Sequence, residues 1–399
     1  METKSSSLES PEQRAFRMEV RRWFEENLPP GWGTPVYQQP KTDREMIDFL
    51  RAWQRKLYDG GWAGLSWPRE YGGRGVTLME QAIFLEERDR AKAPLEWGVV
   101  GIGMVGPMLI HEGSEQQRRR YLQPILTGEE LWCQGFSEPN AGSDLAALRT
   151  RAVRDGDEFV ISGQKVWTSR ASDAQLMILL ARTDFEAPKH KGITAFIVPV
   201  DSPGLRLVPI QQINNTNEFC EVFLDSVPVP AENVIGAVNQ GWQIALRTLS
   251  YERVVTTRAF EARRMLVDLV RACMSRPPDG REPSISDPIV RSQLAQLHCE
   301  VQAARVAYYQ GIARVMKAGA PGPEESAGKL HTSELCKRIG DTASAVLGPA
   351  GVRGRVEQSI GGDPSWPYEY VTTLKHTIAA GTSQVMRNIL GERVLGLPR

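Results

Sequence analysis

The sequence lacks the features that mark secreted, membrane-spanning and nucleic-acid-binding proteins. Its five cysteines are scattered without a CxxC pair, which disfavours a disulfide framework and a zinc site, so no metal centre is expected. No run of 18 apolar residues could span a bilayer, and the first residues lack the apolar core of a signal peptide. Basic and acidic residues balance at 48 each, which argues against nucleic acid or anionic lipid as a general partner. We therefore expect a cytoplasmic globular protein, and the zero net charge removes one barrier to self-association.

A chain of 399 residues is longer than one hydrophobic core usually serves. The hydrophobic pattern divides it into three segments. Residues 1–130 have the spacing of amphipathic helices, starting at Ser10-Pro11, where proline suits the first helical turn. Residues 131–236 contain short β-branched runs separated by turn residues, which is typical of an all-β domain. Residues 237–399 return to helical spacing. This pattern predicts an α+β fold with helical domains on either side of a central β domain.

Long helical patterns fill both outer segments. In the first segment, helices are predicted over residues 43–58, 78–91 and 108–126. In the third, they are predicted over residues 242–274, 288–317, 329–347 and 373–394. Because the strands of the middle segment do not alternate with helices, a parallel nucleotide-binding sheet is not expected.

Residues 101–106 read GIGMVG and match the dinucleotide fingerprint G-x-G-x-x-G. That motif functions between a strand and a helix, with an acidic residue about 20 positions later. Here Pro107 follows at once and the surroundings are helical. The glycines are therefore interpreted as small residues that let helices approach closely or that line a tunnel.

Residues 134–144, QGFSEPNAGSD, are the most specific feature of the chain. In a loop, Ser137 and Ser143 could donate to phosphate or ring oxygens, and Gly142 would let a ligand come close to the backbone. Taken alone, such a loop would more often be an ordinary turn.

The loop strongly resembles the E-P-x-A-G-S-D signature of acyl-CoA dehydrogenases, and other landmarks of that family occur in the right order along the chain. They are WPREYGG at residues 67–73, GQKVWTS at 163–169, LARTD at 180–184, VPVPAEN at 227–233 and GTSQ at 381–384. The resemblance covers essentially the whole chain. It implies a helical N-terminal domain (residues 1–130), a central β-barrel or β-sandwich domain (131–236) and a C-terminal four-helix bundle (237–399).

The resemblance also implies a cofactor, a reaction and partners. FAD would lie between the β domain and the bundle of a homotetramer or homodimer whose subunits share each FAD site. The reaction would be α,β-dehydrogenation of an acyl-CoA in fatty acid or lipid metabolism, with electrons passed to an electron-transfer flavoprotein. A carboxylate would take the α-proton while hydrogen-bond donors polarise the thioester carbonyl, and the flavin would supply the hydride chemistry.

Site residues are carried over by similarity, position by position. The expected cofactor contacts are Gln134, Phe136, Ser137, Gly142, Ser143, Trp167, Thr168, Ser169, Arg276, Gly381, Thr382 and Gln384. Trp167 would shield the flavin, and Ser169 would bond flavin N5 where a threonine is common. The expected substrate contacts are Ser143, Ser250, Arg253 and Ala380.

One departure concerns an R-x-x-F-G element whose arginine reaches a partner's FAD in many members. The matching stretch, residues 276–280, reads RPPDG, so Arg276 is retained but Asp279 replaces the aromatic residue. This replacement weakens the expectation of a standard FAD contact between subunits.

A second departure concerns the catalytic carboxylate. Many members carry it directly before G-T in a Y-E-G-T run, but residues 378–382 read IAAGT, so Ala380 stands at its place. The Ala380 N–H could still donate to the thioester oxygen. The proton acceptor must then come from elsewhere in the chain.

Glu252 is the predicted catalytic base. Isovaleryl-type, long-chain-type and bacterial steroid-side-chain members place this glutamate in an E-R pair on a C-terminal-domain helix, and residues 252–253 match that pattern. A face of small or apolar neighbours would raise the pKa of the carboxyl towards the range of a base. Helical spacing places on that face Ala245, Leu249, Thr256 and Ala259. No basic residue stands three or four positions away to form an ion pair within the helix.

Two other functions stay open. A flavin monooxygenase on the same fold would lack the glutamate and use reduced flavin with oxygen; Ala380 is compatible with this and Glu252 counts against it. A degenerate subunit of a hetero-oligomeric dehydrogenase would suit the altered stretch 276–280, although the retained signature loops count against it. The sequence does not reveal the acyl group, nor whether the thioester is carried by CoA or by a carrier protein.

Overall fold

The computed structural model describes residues 9–34, 36–214, 216–255, 258–276, 280, 282–348, 359–362 and 364–398, with the side chains of residues 250–255 left out. The chain forms two compact units, each assembled from separated stretches. The first contains Met1–Lys41, Val76–Pro94 and Arg253–Arg399, and the second contains Thr42–Gly75 and Leu95–Glu252.

Helices provide most of the first unit and part of the second. In chain order they are α1 (Pro11–Asn27), α2 (Asp43–Asp59), α3 (Leu78–Arg90), α4 (Gly106–Glu112), α5 (Glu115–Thr127), α6 (Gly241–Val255), α7 (Ala259–Met274), α8 (Pro288–Ala318), α9 (Ser326–Leu347), α10 (Trp366–His376) and α11 (Ser383–Ile389). Short π-helical turns precede α4 at Gly101–Val105 and follow α11 at Leu390–Val394. None of the described helices is long and apolar enough to cross a lipid bilayer.

The second unit is built around a β-sheet of eight strands. The strands are β1 (Trp132–Gly135), β2 (Arg151–Asp155), β3 (Glu158–Ser169), β4 (Leu176–Arg182), β5 (Ile193–Pro199), β6 (Leu205–Ile210), β7 (Phe219–Pro230) and β8 (Val234–Ile235). Their order is β6-β7-β3-β2-β4-β5-β8, and β1 pairs with β4 in parallel. Most neighbours are antiparallel, which confirms the predicted β domain and excludes a doubly wound nucleotide-binding sheet.

The predicted start of the first helix is confirmed in detail. The Ser10 hydroxyl accepts the Gln13 N–H while the Gln13 side chain accepts the Ser10 N–H, and Pro11 occupies the first turn. This reciprocal capping satisfies donors that a helix leaves unpaired at its start.

Three predicted helices are wrong as continuous elements. The helix over residues 108–126 is divided between α4 and α5, because Ser114 caps a new helix. The one over 242–274 is divided between α6 and α7. The one over 373–394 is divided between α10 and α11 by a turn at residues 377–382.

Each unit has its own hydrophobic core. In the second unit, the sheet buries a cluster that includes Phe159, Phe196 and Val222. In the first unit, α9 packs against α7, α8 and α10 around residues such as Leu269, Leu297 and Ile339. This arrangement confirms a helical C-terminal region.

The G-x-G-x-x-G stretch is helical, as interpreted from the sequence. A Cβ atom on Gly106 would lie 1.8 Å from the Trp67 ring, and one on Gly101 would lie 3.0 Å from Ile125. Both glycines therefore permit close packing.

Candidate active site

The signature loop leaves β1 and is fixed to β3 through main-chain contacts. The Val166 N–H donates to the Ser137 carbonyl at 2.9 Å. Glu138 and Ala141 exchange N–H···O bonds of 3.2 and 3.0 Å, which closes a tight turn. Phe136, at the start of the loop, is buried. These contacts fix the shape of the loop.

A buried ion pair inside the second unit anchors this loop. Lys165 is fully buried and its Nζ lies 2.8 Å from Glu138 Oε1 and 3.2 Å from the Phe136 carbonyl. Glu138 also accepts the Thr150 hydroxyl at 2.6 Å and the Arg149 N–H at 2.7 Å. Neither Glu138 nor Lys165 is among the site residues predicted from the sequence, although a charged residue inside each of two motifs was a usable signal.

Burial and ion pairing shift the pKa values of these two groups in opposite directions. Burial lowers the pKa of the Lys165 ammonium to about 8, and Glu138 counteracts part of that shift. Burial alone would raise the pKa of Glu138, but Lys165 and Thr150 outweigh it and hold that pKa below its ordinary value. Both groups are therefore charged at neutral pH.

Trp167 projects from an irregularity in β3. The pairing of β3 with β7 shifts register between Lys165 and Thr168, and Trp167 has a φ of 61°. Such bulges redirect side chains. The indole is 59% exposed and meets Phe219 edge-on at 6.1 Å. An exposed tryptophan on a strained backbone position agrees with the predicted role of covering a flavin ring.

Several predicted cofactor contacts in the second unit have polar groups without a hydrogen-bond partner among the described residues. Within the part of the chain that the structure describes, the hydroxyls of Ser137, Ser143 and Ser169 make no hydrogen bond, and the buried Thr168 hydroxyl has no partner either. A Cβ on Gly142 would meet no atom within 4 Å. Gln134 lies half-buried on β1. The hydroxyl donors of Ser137, Ser143 and Ser169 fit a ligand rich in acceptors, as FAD is, whereas Thr168 is fully buried.

The predicted base lies on α6, but its side chain is outside the described residues. Glu252 falls within α6, as do Ser250 and Arg253, whose side chains are also outside the described part. One correction applies to the helical face proposed for it. Because α6 ends at Val255, Ala259 belongs to α7 and cannot extend that face. Farther back on α6, Ala245 is buried as expected.

A turn in the first unit carries the position where many relatives keep the glutamate. Ala380 has a φ of 54° and Gly381 a φ of 93°, so the chain reverses here instead of continuing α10. Lys329 Nζ donates to the carbonyls of His376 at 3.0 Å and Gly381 at 2.6 Å, which bridges the two ends of the turn.

The turn leads into α11, where two predicted cofactor contacts lie. The Thr382 hydroxyl accepts the Val385 N–H at 3.1 Å and caps α11. Gln384 is exposed on the first turn of that helix. Thr382 therefore has a structural task in addition to the one predicted for it.

A partly buried polar cluster that the sequence did not indicate supports the same turn from α10. His376 Nε2 lies 3.1 Å from Glu261 Oε1, and Arg258 Nη1 donates to Glu261 Oε2 at 2.9 Å. Burial alone would raise the pKa of Glu261, but His376 and Arg258 hold it well below its ordinary range. Arg258 and Glu261 are three positions apart, but His376 lies 115 positions from Glu261, so only the fold brings the histidine to them.

Family models match three successive parts of the chain. Residues 10–129 match the acyl-CoA dehydrogenase N-terminal domain, residues 133–227 the middle domain and residues 239–395 the C-terminal domain. The chain belongs to the acyl-CoA dehydrogenase family. It is an oxidoreductase, and members of this family are FAD-dependent flavoproteins.

Individual relatives agree with this assignment. The chain is 38% identical over 390 residues to the acyl-CoA dehydrogenase IpdE1 of Mycobacterium tuberculosis, covering 96% of this chain and 97% of the relative. It also resembles the solved steroid ACAD Tcur3481–Tcur3483, with a TM-score of 0.83, 33% identity and coverage of 98% and 99%. The ChsE4–ChsE5 complex of Mycobacterium tuberculosis gives a TM-score of 0.82 at 30% identity, covering 98% of this chain and 99% of that one.

The altered R-x-x-F-G element of this acyl-CoA dehydrogenase is only partly described. Arg276 is exposed and lies 3.3 Å from Glu282, an exposed carboxylate. Residues 277–279, which include the substituted Asp279, lie outside the described residues. Whether Arg276 contacts FAD therefore stays a prediction.

Proposed function

We propose that this chain catalyses the FAD-dependent α,β-dehydrogenation of an acyl-CoA thioester and passes the electrons to an electron-transfer flavoprotein. Membership of the family over all three domains supports the reaction. The observation that carries the cofactor assignment is the signature loop. Its backbone is fixed by the Glu138–Lys165 pair, while its hydroxyl groups remain available to a ligand.

The chain's own groups would hold and orient the cofactor. Ser137 and Ser143 offer hydroxyl donors, Ser169 would bond the flavin edge, and Trp167 offers an exposed ring to cover it. When bound, FAD supplies the acceptor for a hydride, at flavin N5. Thr382, Gln384 and Arg276 are proposed as further cofactor contacts.

Glu252 is proposed as the base. The α-proton would go to its carboxylate while the β-hydrogen leaves with its electron pair, so that a carbon–carbon double bond forms. The Ala380 N–H would donate to the thioester oxygen and stabilise the developing enolate. Two features support this division of roles: the absence of a carboxylate at Ala380 and the position of Glu252 on a helix.

Isotope exchange tests the base without requiring turnover. With a thioester that cannot lose a β-hydride, the holoenzyme should exchange the α-proton for solvent deuterium. In Glu252→Gln the exchange rate should fall about 10²–10⁴-fold, which is the usual contribution of a general base. Unchanged exchange in the variant would refute the assignment.

The acyl group is proposed to be bulky and steroid-derived. Support comes from relatives, since one of the similar solved structures is a steroid ACAD. An anaerobic screen of acyl thioesters, followed by bleaching of the flavin absorbance, tests both substrate class and reaction. We expect bleaching by steroid side-chain thioesters and weak or no bleaching by straight short chains. A chain that carries FAD and is bleached by no thioester would contradict the proposed function.

A hetero-oligomeric assembly is the second candidate. The ChsE4–ChsE5 complex, to which this chain is similar, contains two differently named proteins, and Asp279 alters an element that relatives use between subunits. A catalytically degenerate subunit would bind little FAD when purified alone. A flavin monooxygenase, which Ala380 alone would permit, would instead consume oxygen when supplied with reduced flavin.

A further inference from the structure

Two strained residues enclose Ser169, whose hydroxyl is one of the groups proposed to contact the flavin. Trp167 has a φ of 61° and Arg170 a φ of 55°, in the left-handed region that residues other than glycine rarely adopt. Such conformations are costly and persist only where surrounding contacts impose them. The contacts that impose this conformation on Arg170 therefore also bear on Ser169, its neighbour in the chain.

The main chain of Arg170 is fixed on both sides. Its N–H donates to the carbonyl of Glu218, directly before β7, at 2.6 Å. Its carbonyl accepts the N–H groups of Asp173 at 3.0 Å and Ala174 at 3.1 Å. Ser169, the last residue of β3, pairs with the first residue of β7. Because Ser169 and Arg170 share a peptide bond, a change in the conformation of Arg170 would redirect Ser169.

The side chain of Arg170 is anchored on a buried ring. Its guanidinium lies over Trp97, 4.4 Å from the ring centroid, and Trp97 is only 2% exposed. A cation on the face of a tryptophan is stabilised by the ring quadrupole, more strongly where water is excluded. The ion pair with Glu218 adds little, because Nε and Oε1 are 4.0 Å apart and both side chains are partly exposed. The contact with Trp97 is therefore the main side-chain contact that opposes relaxation of the strained backbone.

The Ser169 hydroxyl depends on the backbone for its direction. It makes no hydrogen bond within the described part of the chain, and the side chain is half-buried. A serine hydroxyl without a protein partner rotates freely about its own bonds. Only the main chain on either side, strained at Trp167 and Arg170, limits where this hydroxyl can point.

We infer that Arg170 is a positioning residue for hydride transfer. By packing on Trp97, it holds the strained end of β3 in the conformation that directs the Ser169 hydroxyl to flavin N5. Arg170 is assigned no contact with the substrate or the reacting atoms. This inference rests on the proposed function and adds to it a residue outside the motifs shared with the family.

The midpoint potential of the bound flavin tests the inference without a substrate. Ser169→Ala should shift the potential, because it removes the hydrogen bond to N5. Arg170→Gln should shift it in the same direction, and the double variant should shift it no further than Ser169→Ala, since two residues that act through one contact are not additive. Arg170→Lys keeps a cation over Trp97 and should restore the wild-type potential.

Three results would overturn the inference. The first is additive shifts in the double variant, and the second is a wild-type potential in Arg170→Gln. The third is an unchanged potential in Ser169→Ala, because no bond to N5 would then have been lost. If Arg170→Gln fails to retain FAD, Trp97→Phe tests the same contact from the ring side. Phenylalanine attracts a cation less strongly than tryptophan, so the potential should shift in the same direction by less, and no shift would overturn the inference.

Kinetics on the holoenzyme separate positioning from general damage. In stopped flow with a substrate thioester, Arg170→Gln should reduce the flavin about three- to tenfold more slowly, the effect of one hydrogen bond. Exchange of the α-proton should stay at the wild-type rate, because that step does not use Ser169. Equal losses in both steps would indicate a merely structural role and overturn the inference. Arg74→Gln is the matched control, since Arg74 also lies 4.4 Å over a buried tryptophan, Trp62, and it should change neither step.

The inference and the proposed function fail in different ways. The expected set of potentials, in a protein whose flavin is reduced by no thioester, would support the role of Arg170 at N5 and contradict the proposed function. Flavin reduction by a thioester, with additive potential shifts, would overturn the role of Arg170 and leave the proposed function standing.

Discussion

At the scale of single residues, the site depends on side chains that do not touch a ligand. Glu138 and Lys165 stand 27 positions apart, and sheet pairing brings them to 2.8 Å. The sequence located their motifs through the exposed, ligand-facing residues. It could not show that the charged members of two motifs meet, because that contact exists only once β3 is paired.

Lys165→Met should destabilise the protein strongly. Removing one partner of a buried pair leaves an uncompensated charge and typically costs about 3–5 kcal/mol in the free energy of unfolding. Lys189→Met, which breaks the exposed pair with Asp144, should cost no more than about 1 kcal/mol. Denaturant unfolding of both variants checks this, and equal losses would show that the Glu138–Lys165 pair has no special role.

At the scale of elements, sequence patterns predicted most helices and a middle segment rich in strands. The strands β1, β2 and β8 have a weak sequence signal because they are short, and β2 carries arginine at two of its five positions. The break between α10 and α11 did have a signal. Gly381 followed by Thr382 places a flexible residue before a good helix cap, but apolar spacing on both sides concealed it. The division of α6 from α7 had no comparable glycine or proline signal.

The turn between α10 and α11 should depend on Lys329. Lys329→Met removes two charge-assisted bonds to the carbonyls of His376 and Gly381, so the free energy of unfolding should fall by about 2–4 kcal/mol. Amide exchange at residues 377–381 should accelerate more than elsewhere. Lys337→Met on the same helix breaks only an exposed pair with Asp341 and should leave exchange in the turn unchanged. Equal exchange in both variants would contradict this role.

The packing of α1 on α3 should be sensitive to acid. Burial alone would raise the pKa of Glu87 on α3, but hydrogen bonds from Arg21, Arg17 and Arg90 outweigh it and lower the pKa to about 2. A lowered folded-state pKa stabilises the fold above the unfolded value near 4.5, and this contribution disappears as pH falls from there towards 2. Unfolding measured across that range should show the loss, with a shallower slope in Glu87→Gln. An unchanged slope in the variant would argue against Glu87 as the source.

At the scale of the whole molecule, the order of helical, β and helical segments could be predicted from the sequence, because the spacing of hydrophobic residues changes twice along the chain. The two proposed domain limits, at residues 130 and 236, remain predictions. Which stretches form each of the two compact units could not be predicted, because each unit combines separated stretches such as Val76–Pro94. Long-range assembly of that kind leaves no periodic trace in the sequence.

The assembly state gives a prediction at this scale. With no net charge to oppose association, the chain purified alone should form a homotetramer or homodimer with about one FAD per subunit. Sedimentation combined with the flavin-to-protein absorbance ratio measures both properties. A monomer with little FAD that gains flavin only when a second chain is co-expressed would favour the hetero-oligomeric alternative.

The central claim, that Glu252 is the base of an FAD-dependent dehydrogenase, is tested most directly by anaerobic stopped-flow reduction of the bound flavin. With a substrate thioester from the screen, Glu252→Gln should retain FAD but reduce it about 10²–10⁴-fold more slowly than the wild type. Glu112→Gln is the matched control: it makes the same isosteric change at a carboxylate that pairs with Arg247 on α6, and it should reduce flavin at the wild-type rate. Wild-type flavin reduction by Glu252→Gln would contradict the account.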